Sequence, residues 1–222
     1  MNPYDRPRRG RGESLPEKVA QSLDAIYAAP GEALWRQARL RLAARLEQAV
    51  ERVYYDRLSP TPVGPLWVAV TDRGLVAVEF DAAEAAFARR LARRLGLEPK
   101  RSKERTAEAC RQLASYLRGE RTAFALAVDL RHLTPFQRRV LSAARAIRRG
   151  SVATYGEVAR RIGRPRSARA VGQALGSNPI PIVIPCHRVL ASDGSLGGYS
   201  GRGGIRTKRR LLQLEGAPVA RS

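Results

Sequence analysis

Ser177-Asn178-Pro179-Ile180-Pro181-Ile182-Val183-Ile184-Pro185-Cys186-His187-Arg188-Val189 is the stretch on which the reading of this chain turns. An apolar, Pro-bounded run carries Cys186 to the end of what reads as an extended segment, and His187 and Arg188 follow at once. A free thiol titrates near ~8.5, and adjacent positive charge favours the thiolate, which is the nucleophilic form. In a plainer setting the same residue would be a small buried hydrophobe, because free cysteine is among the most buried side chains. Side chains alternate in direction along an extended strand, so His187 reaches the sulfur directly only if the chain turns after Cys186.

Upstream of this stretch the punctuation is helical. Thr134-Pro135-Phe136-Gln137 combines a capping-box pattern with proline at the first helical position and predicts a helix to about Ile147. Thr154-Tyr155-Gly156-Glu157 repeats the start signal ahead of a helix to about Ile162. After Gly163-Arg164-Pro165-Arg166, Ser167 is placed to cap a third helix that ends near Gly176. Two short helices joined by a Gly/Pro turn, with Arg166 and Arg169 at the start of the second, describe a helix-turn-helix. Any three-helix core produces that topology by chance, so the local charge is what points it toward DNA.

Further upstream, strand-like runs at Val53–Leu58, Leu66–Thr71 and Leu75–Phe80, the last two joined by Asp72-Arg73-Gly74, predict a small antiparallel sheet. Helical periodicity follows over 82–95 and 105–118, with Cys110 in the second helix and read there as core or half-buried. From Pro16 to about Ala28 and from about Glu32 to Arg52, apolar residues recur at helical spacing around a Pro30-Gly31 break, which predicts an appended helical hairpin. Residues 1–12 are polar and rich in Arg and Gly, and read as a disordered basic tail. The predicted architecture is mixed α/β (α+β). A tail at 1–12 and a helical extension at 13–52 precede a sheet-and-helix domain at 53–130 and a helix-turn-helix-like, winged-helix-type domain at 131–222.

The 222 residues, 44% of them hydrophobic, suffice for a packed core. The net charge of +21 is uneven: residues 131–222 carry 18 basic and 3 acidic groups, that is 18 − 3 = +15. Such a segment suits a polyanion, because Lys and Arg that neutralise phosphates gain affinity from counterion release. The two cysteines make no disulfide framework, and no apolar stretch follows the N-terminal basic residues as a secretion signal would require. A reduced, cytoplasmic and nucleoid-associated setting is expected, without a membrane partner. With only His132 and His187 as imidazoles, no metal site or cofactor is expected.

The segment 134–216 resembles the C-terminal domain of the O6-alkylguanine-DNA alkyltransferases. The resemblance is carried by Thr134-Pro135-Phe136-Gln137, Tyr155-Gly156-Glu157, Ala168-Arg169-Ala170-Val171-Gly172, Gly176-Ser177-Asn178-Pro179, Ile184-Pro185-Cys186-His187-Arg188-Val189, Gly197-Gly198-Tyr199-Ser200-Gly201, and Lys208 through Glu215-Gly216. Residues 53–130 resemble the family's small N-terminal domain more loosely. The resemblance implies that Cys186 accepts an alkyl group from O6-alkylguanine, with O4-alkylthymine as a second substrate, once and irreversibly. By the same resemblance, Glu215 would orient His187, His187 would act on Cys186 through a water, and Asn178 would fix the turn around the active-site helix.

It further implies a monomer on double-stranded DNA, docked in the minor groove without sequence readout. There Arg169 takes the place of the flipped base and Tyr155 turns the nucleotide outward, with Thr134, Gln137, Arg166, Ser167 and Ala168 at the same interface. The substrate pocket would draw on Pro181, Val189, Gly197, Tyr199, Ser200, Gly201 and Lys208. Carbonyls of Cys186 and Val189 would face the guanine amine and amides near Tyr199-Ser200 would face O6. Between Ser200 and Lys208, Arg202-Gly203-Gly204 make this chain two residues longer than the human-type pattern, which leaves the pocket width open. The rival readings are a lesion-recognition protein without repair activity, a helix-turn-helix regulator with a structural or sensing cysteine, and a turnover cysteine hydrolase.

Overall fold

The computed structural model describes residues 35–41, 51–80, 82–199, 201 and 203–218. Met1–Val50 and Glu51–Ser222 form separate compact units. Within the first, residues 35–41 are helical and fall inside the second of the two predicted helices. The tail at 1–12 and the remainder of the hairpin lie outside the described residues.

The second unit begins with three strands, β1 (Val53–Leu58), β2 (Leu66–Thr71) and β3 (Gly74–Phe80), paired antiparallel in the predicted order. A fourth strand, β4 (Pro99–Arg101), joins β1 in parallel and gives the order β3-β2-β1-β4. The sheet is therefore mixed rather than antiparallel. Three residues of Pro-Lys-Arg carry no apolar alternation, so nothing local announces β4. Every residue of β2 is buried because both sheet faces are covered. Trp67 and Ala69 pack with Tyr55, Phe87 and Leu91 under helix α1 (Glu84–Leu95), while Leu66, Val68 and Val70 point the other way into the main core. Gly74 permits the turn between β2 and β3: its φ is +135°, and a Cβ there would lie 2.4 Å from the Ala127 carbonyl oxygen. That contact lets residues 127–129 line the outer edge of β3, with Leu75 N donating to Ala127 O at 2.9 Å and Asp129 N to Leu75 O at 2.8 Å.

Helix α2 (Lys103–Leu117) covers the inner sheet face, capped by Ser102, whose hydroxyl accepts from Arg105 N. Cys110 on α2 is half-buried against the core, as predicted, and burial pushes its thiol up to about 11. The main core runs without interruption from β2 and α2 into the C-terminal helices through Val140, Leu141, Val158, Val171, Ile180, Ile184 and Leu211. These helices are α3 (Pro135–Arg145), α4 (Tyr155–Arg161), α5 (Ala168–Gly176) and α6 (Ile205–Leu214). Two short strands, β5 (Ala153–Thr154) and β6 (Val189–Leu190), pair in parallel between them. Thr134 and Thr154 form the expected capping boxes with Gln137 and Glu157. Ser167 does not cap α5 with its side chain: at φ −103°, ψ 24° its backbone is outside the extended geometry in which an N-cap hydroxyl reaches the first turn.

Candidate active site

Cys186 does not end a strand. Residues 181–183 form a turn flanked by bends, Ile184 N donates to Ile180 O at 2.9 Å, and Ile182 takes a φ of +74°. Cys186–Arg188 then form a single 3₁₀ turn. The extended reading fails because Pro179, Pro181 and Pro185 supply no backbone N–H to pair with, while Asn178 brackets the loop instead. Its Nδ2 donates to Ile184 O at 2.8 Å and its Oδ1 accepts from Ile180 N at 3.0 Å. Val78 N of β3 donates to Pro179 O at 2.8 Å and docks the loop on the sheet edge.

The thiol is 7% exposed. Burial pushes it up, opposed by the Asn178 side chain, the charge of Lys208 and the backbone amides at Cys186 and His187. The expectation that His187 and Arg188 supply the favouring charge therefore needs correction. Burial pushes the imidazole of His187 down, more than Glu215 raises it, so it is uncharged at neutral pH. The guanidinium of Arg188 is committed to Glu215, with Nε donating to Oε2 at 2.7 Å and Nη2 to Oε1 at 3.1 Å. Lys208 is the cation that acts on Cys186. It is fully buried, its ammonium donates to Val189 O at 2.6 Å and to Leu196 O, and burial pushes it down to about 8.

Glu215 caps the C-terminus of α6 at 7% exposure. Its Oε1 lies 2.6 Å from His187 Nε2 and also accepts from the hydroxyl of Tyr116. Burial alone would raise this carboxyl, yet the hydrogen bonds from His187 and Arg188 prevail and hold it at about 2. A carboxylate facing Nε2 selects the tautomer with its proton there and leaves Nδ1 as the basic nitrogen. Nδ1 is buried and has no hydrogen-bond partner among the described residues. A thiol, a neutral imidazole and a carboxylate set in this order can serve as nucleophile, base and orienting group.

The sulfur lines a cavity of about 370 Å³ together with Tyr155, Gly172, Leu175, Gly176, Gly198 and Tyr199. That volume falls in the ~300–1,000 Å³ range of ligand pockets. A larger cleft of about 500 Å³ between Phe80 and Arg210 is lined by no cysteine, histidine or carboxylate, so chemistry rather than size selects the site. The Tyr199 hydroxyl is buried without a partner among the described residues, and its ring meets Phe80 edge-on at 6.3 Å. Gly201 sits where a Cβ would lie 2.5 Å from Tyr199 Cε1. The half-buried Tyr155 ring lies beside Gly172 and Gly197, whose φ is +59°. Of the other expected pocket residues, Gly197 and Gly201 touch the wall tyrosines without lining this cavity, Pro181, Val189 and Lys208 are buried and do not line it, and Ser200 lies outside the described residues. Val189 O and Lys208 form a clamp behind it.

On the helix-turn-helix, Arg166 and Arg169 are exposed, and Ser167 and Ala168 are half-exposed. Thr134 is exposed at the start of α3, where Gln137 Nε2 donates to Ser177 Oγ at 3.2 Å. Of the three carboxylates beyond residue 130, Glu157 is held in its capping box, Glu215 is buried and Asp193 caps a turn at Ser195. The exposed charge of this part is therefore almost wholly positive. Among the described residues no cluster of His, Cys, Asp or Glu could hold a metal, and no helix is long and apolar enough to cross a membrane.

Residues 135–217 match the family described as 6-O-methylguanine DNA methyltransferase, DNA binding domain, and residues 53–130 match its ribonuclease-like domain. A methylated-DNA–protein-cysteine methyltransferase of Salmonella typhimurium is 39% identical over 163 residues, covering 70% of this chain and 92% of that protein. The chain belongs to this methyltransferase family. A Mycobacterium tuberculosis relative of the same name is 52% identical over 104 residues, 47% of this chain, and the match spans 61% of the relative's length. The crystal structure of Mycobacterium tuberculosis OGT in complex with DNA superposes with a TM-score of 0.61 at 40% identity, covering 74% of this chain and 95% of that one. For a methyltransferase of this family, sequence reasoning missed Tyr116, which enters the site from α2 at 99 positions from Glu215. It also missed Gly172 and Gly176, although small residues one helical turn apart on α5 signal a face left open for a ligand.

Proposed function

We propose that this chain is a single-use DNA repair protein that moves the alkyl group of O6-alkylguanine, and of O4-alkylthymine, onto Cys186. Residues 131–222 form the DNA-binding part and residues 53–130 the sheet-and-helix part that supports it. As a monomer it docks α4 and α5 in the minor groove of double-stranded DNA, and Arg169 fills the gap left by the flipped nucleotide while Tyr155 turns it outward. Thr134, Gln137, Arg166, Ser167 and Ala168 hold the phosphates and sugars. The lesion enters the cavity against Tyr199, with the main chain of Cys186, Val189 and residues 199–200 reading the base. The setting is cytoplasmic and nucleoid-associated, and no cofactor takes part.

His187 Nδ1 draws the thiol proton through a water while the sulfur attacks the alkyl carbon. The C–O6 bond breaks as the C–S bond forms, its electron pair stays on guanine, and the proton taken from Cys186 returns to the base. A thioether has no hydrolytic exit, so each molecule acts once. The observation that carries this reading is the joint placement of Cys186 at the cavity and of His187 on Glu215 at 2.6 Å. The test is a titration of the protein with duplex carrying O6-benzylguanine: product formation stops at one equivalent per chain. Continued turnover would instead establish a hydrolase, and binding without product would establish a lesion recogniser or regulator.

A further inference from the structure

The steps above leave one member of the buried network without a task, the phenol of Tyr116. It projects from the last turn of α2, fully buried, with its ring 4.5 Å from that of Phe124 and the Arg149 guanidinium 5.6 Å from its centroid. Its hydroxyl donates to Glu215 Oε1, the oxygen that also faces His187 Nε2, and accepts from Arg188 Nη2 at 3.0 Å. We propose that Tyr116 is a positioning residue for alkyl transfer, setting through its hydrogen bond to Glu215 Oε1 how strongly that carboxylate draws on His187. The proposal rests on the reading of Cys186 as the alkyl acceptor.

Each donor on a carboxylate oxygen withdraws charge from its other partners. Oε1 is shared by Tyr116, His187 and Arg188, and Oε2 is held by Arg188. With all donors in place Glu215 stays an anion that accepts from Nε2–H, which fixes the proton there and leaves the lone pair on Nδ1 as the base. The phenol cannot abandon its part as donor, because burial first and Glu215 second push it up to about 12. The charged groups that act on His187 are Glu215 and Lys208 from α6 and Arg188 on its own turn, while the neutral Tyr116 phenol from α2 reaches it through Glu215 Oε1, with Arg149 beyond the Tyr116 ring. Of these Glu215 alone favours the imidazolium, and Tyr116 moderates it. Loss of the hydroxyl leaves more charge on Oε1, so His187 keeps its proton to a higher pH and fails as a base over a wider acid range.

The experiment is the pH profile of single-turnover transfer from O6-benzylguanine in the full chain, for wild type and Tyr116→Phe, which removes only the hydroxyl. The acid limb moves upward by about 0.5–1 pH unit. With only two histidines in the chain, ¹⁵N-histidine NMR resolves His187 directly once His132→Asn assigns the other, and its titration moves by the same amount. An unmoved limb with an unmoved His187 titration overturns the proposal, whatever happens to stability. If wild type takes no alkyl group, the functional reading fails, and the NMR titration still decides whether Tyr116 tunes His187. Should Tyr116→Phe not fold, 3-fluorotyrosine at position 116, a stronger donor, moves the titration downward, and no shift there refutes the role.

Discussion

Glu215→Gln removes one charge from the centre of the buried network and changes almost nothing in shape. Arg188, at 6% exposure, then loses the carboxylate to which it donates at 2.7 Å, and the amide nitrogen of the new side chain meets a donor instead of an acceptor. Breaking a buried ion pair from one side costs about 3–5 kcal/mol. A second route gives a similar figure. Glu215 titrates at about 2 in the folded protein against an ordinary value of 4.5, a gap of ~2.5 units and so about 3 kcal/mol of stability. Because the folded value is depressed, that stability is fully present above pH ~4.5 and is lost as pH falls toward ~2. For a chain of this length each kcal/mol is about 2–4 °C in Tm. Thermal unfolding at neutral pH is therefore expected to place Glu215→Gln about 6–20 °C below wild type, with the gap closing from pH ~4.5 downward. A difference under about 3 °C, or one that stays constant across that pH range, would refute the reasoning.

Asn178→Ala strips the partner from the buried Ile180 N and one of two donors from Ile184 O, which keeps Cys186 N at 2.8 Å, and is expected to cost about 1–3 kcal/mol in urea unfolding; a loss below about 0.5 kcal/mol would show that the loop holds without its bracket. Gly201→Ala drives a methyl group to within 2.5 Å of Tyr199 and 2.9 Å of Phe80, so it is expected to lower stability by about 1–3 kcal/mol and slow reaction with O6-benzylguanine, and unchanged benzylation would place this loop outside the pocket wall. Arg169→Ala is expected to slow repair in duplex DNA by at least about tenfold while changing the reaction with free O6-benzylguanine by less than about threefold. Equal losses on the two substrates would contradict a role in base flipping.

Most helices and the three long strands were legible because their signals are local. Both threonine capping boxes stand in the sequence at fixed spacing, and β2 alternates its faces between two cores that are each apolar. The misreadings came where partners are remote. The Ile180–Ile184 run has the composition of a strand, but three prolines deny it a ladder and Asn178 folds it into turns. Arg188 beside Cys186 suggests a charge aimed at sulfur, yet its charge is spent on a carboxylate 27 positions away. Lys208 was placed in the pocket and instead clamps two carbonyls behind it. Tyr116 could not be found from sequence, because a tyrosine on the apolar face of a helix looks the same whether or not its hydroxyl meets a partner across the core.

The central claim is that Cys186 is an alkyl acceptor, and intact-mass spectrometry after incubation with duplex containing O6-methylguanine tests it most directly. The account predicts a gain of one methyl group per chain, mapped by peptide analysis to Cys186, with guanine restored in the DNA and no gain in Cys186→Ala. Tight binding to the lesion with no change in mass, or a methyl group mapped to Cys110, would contradict it.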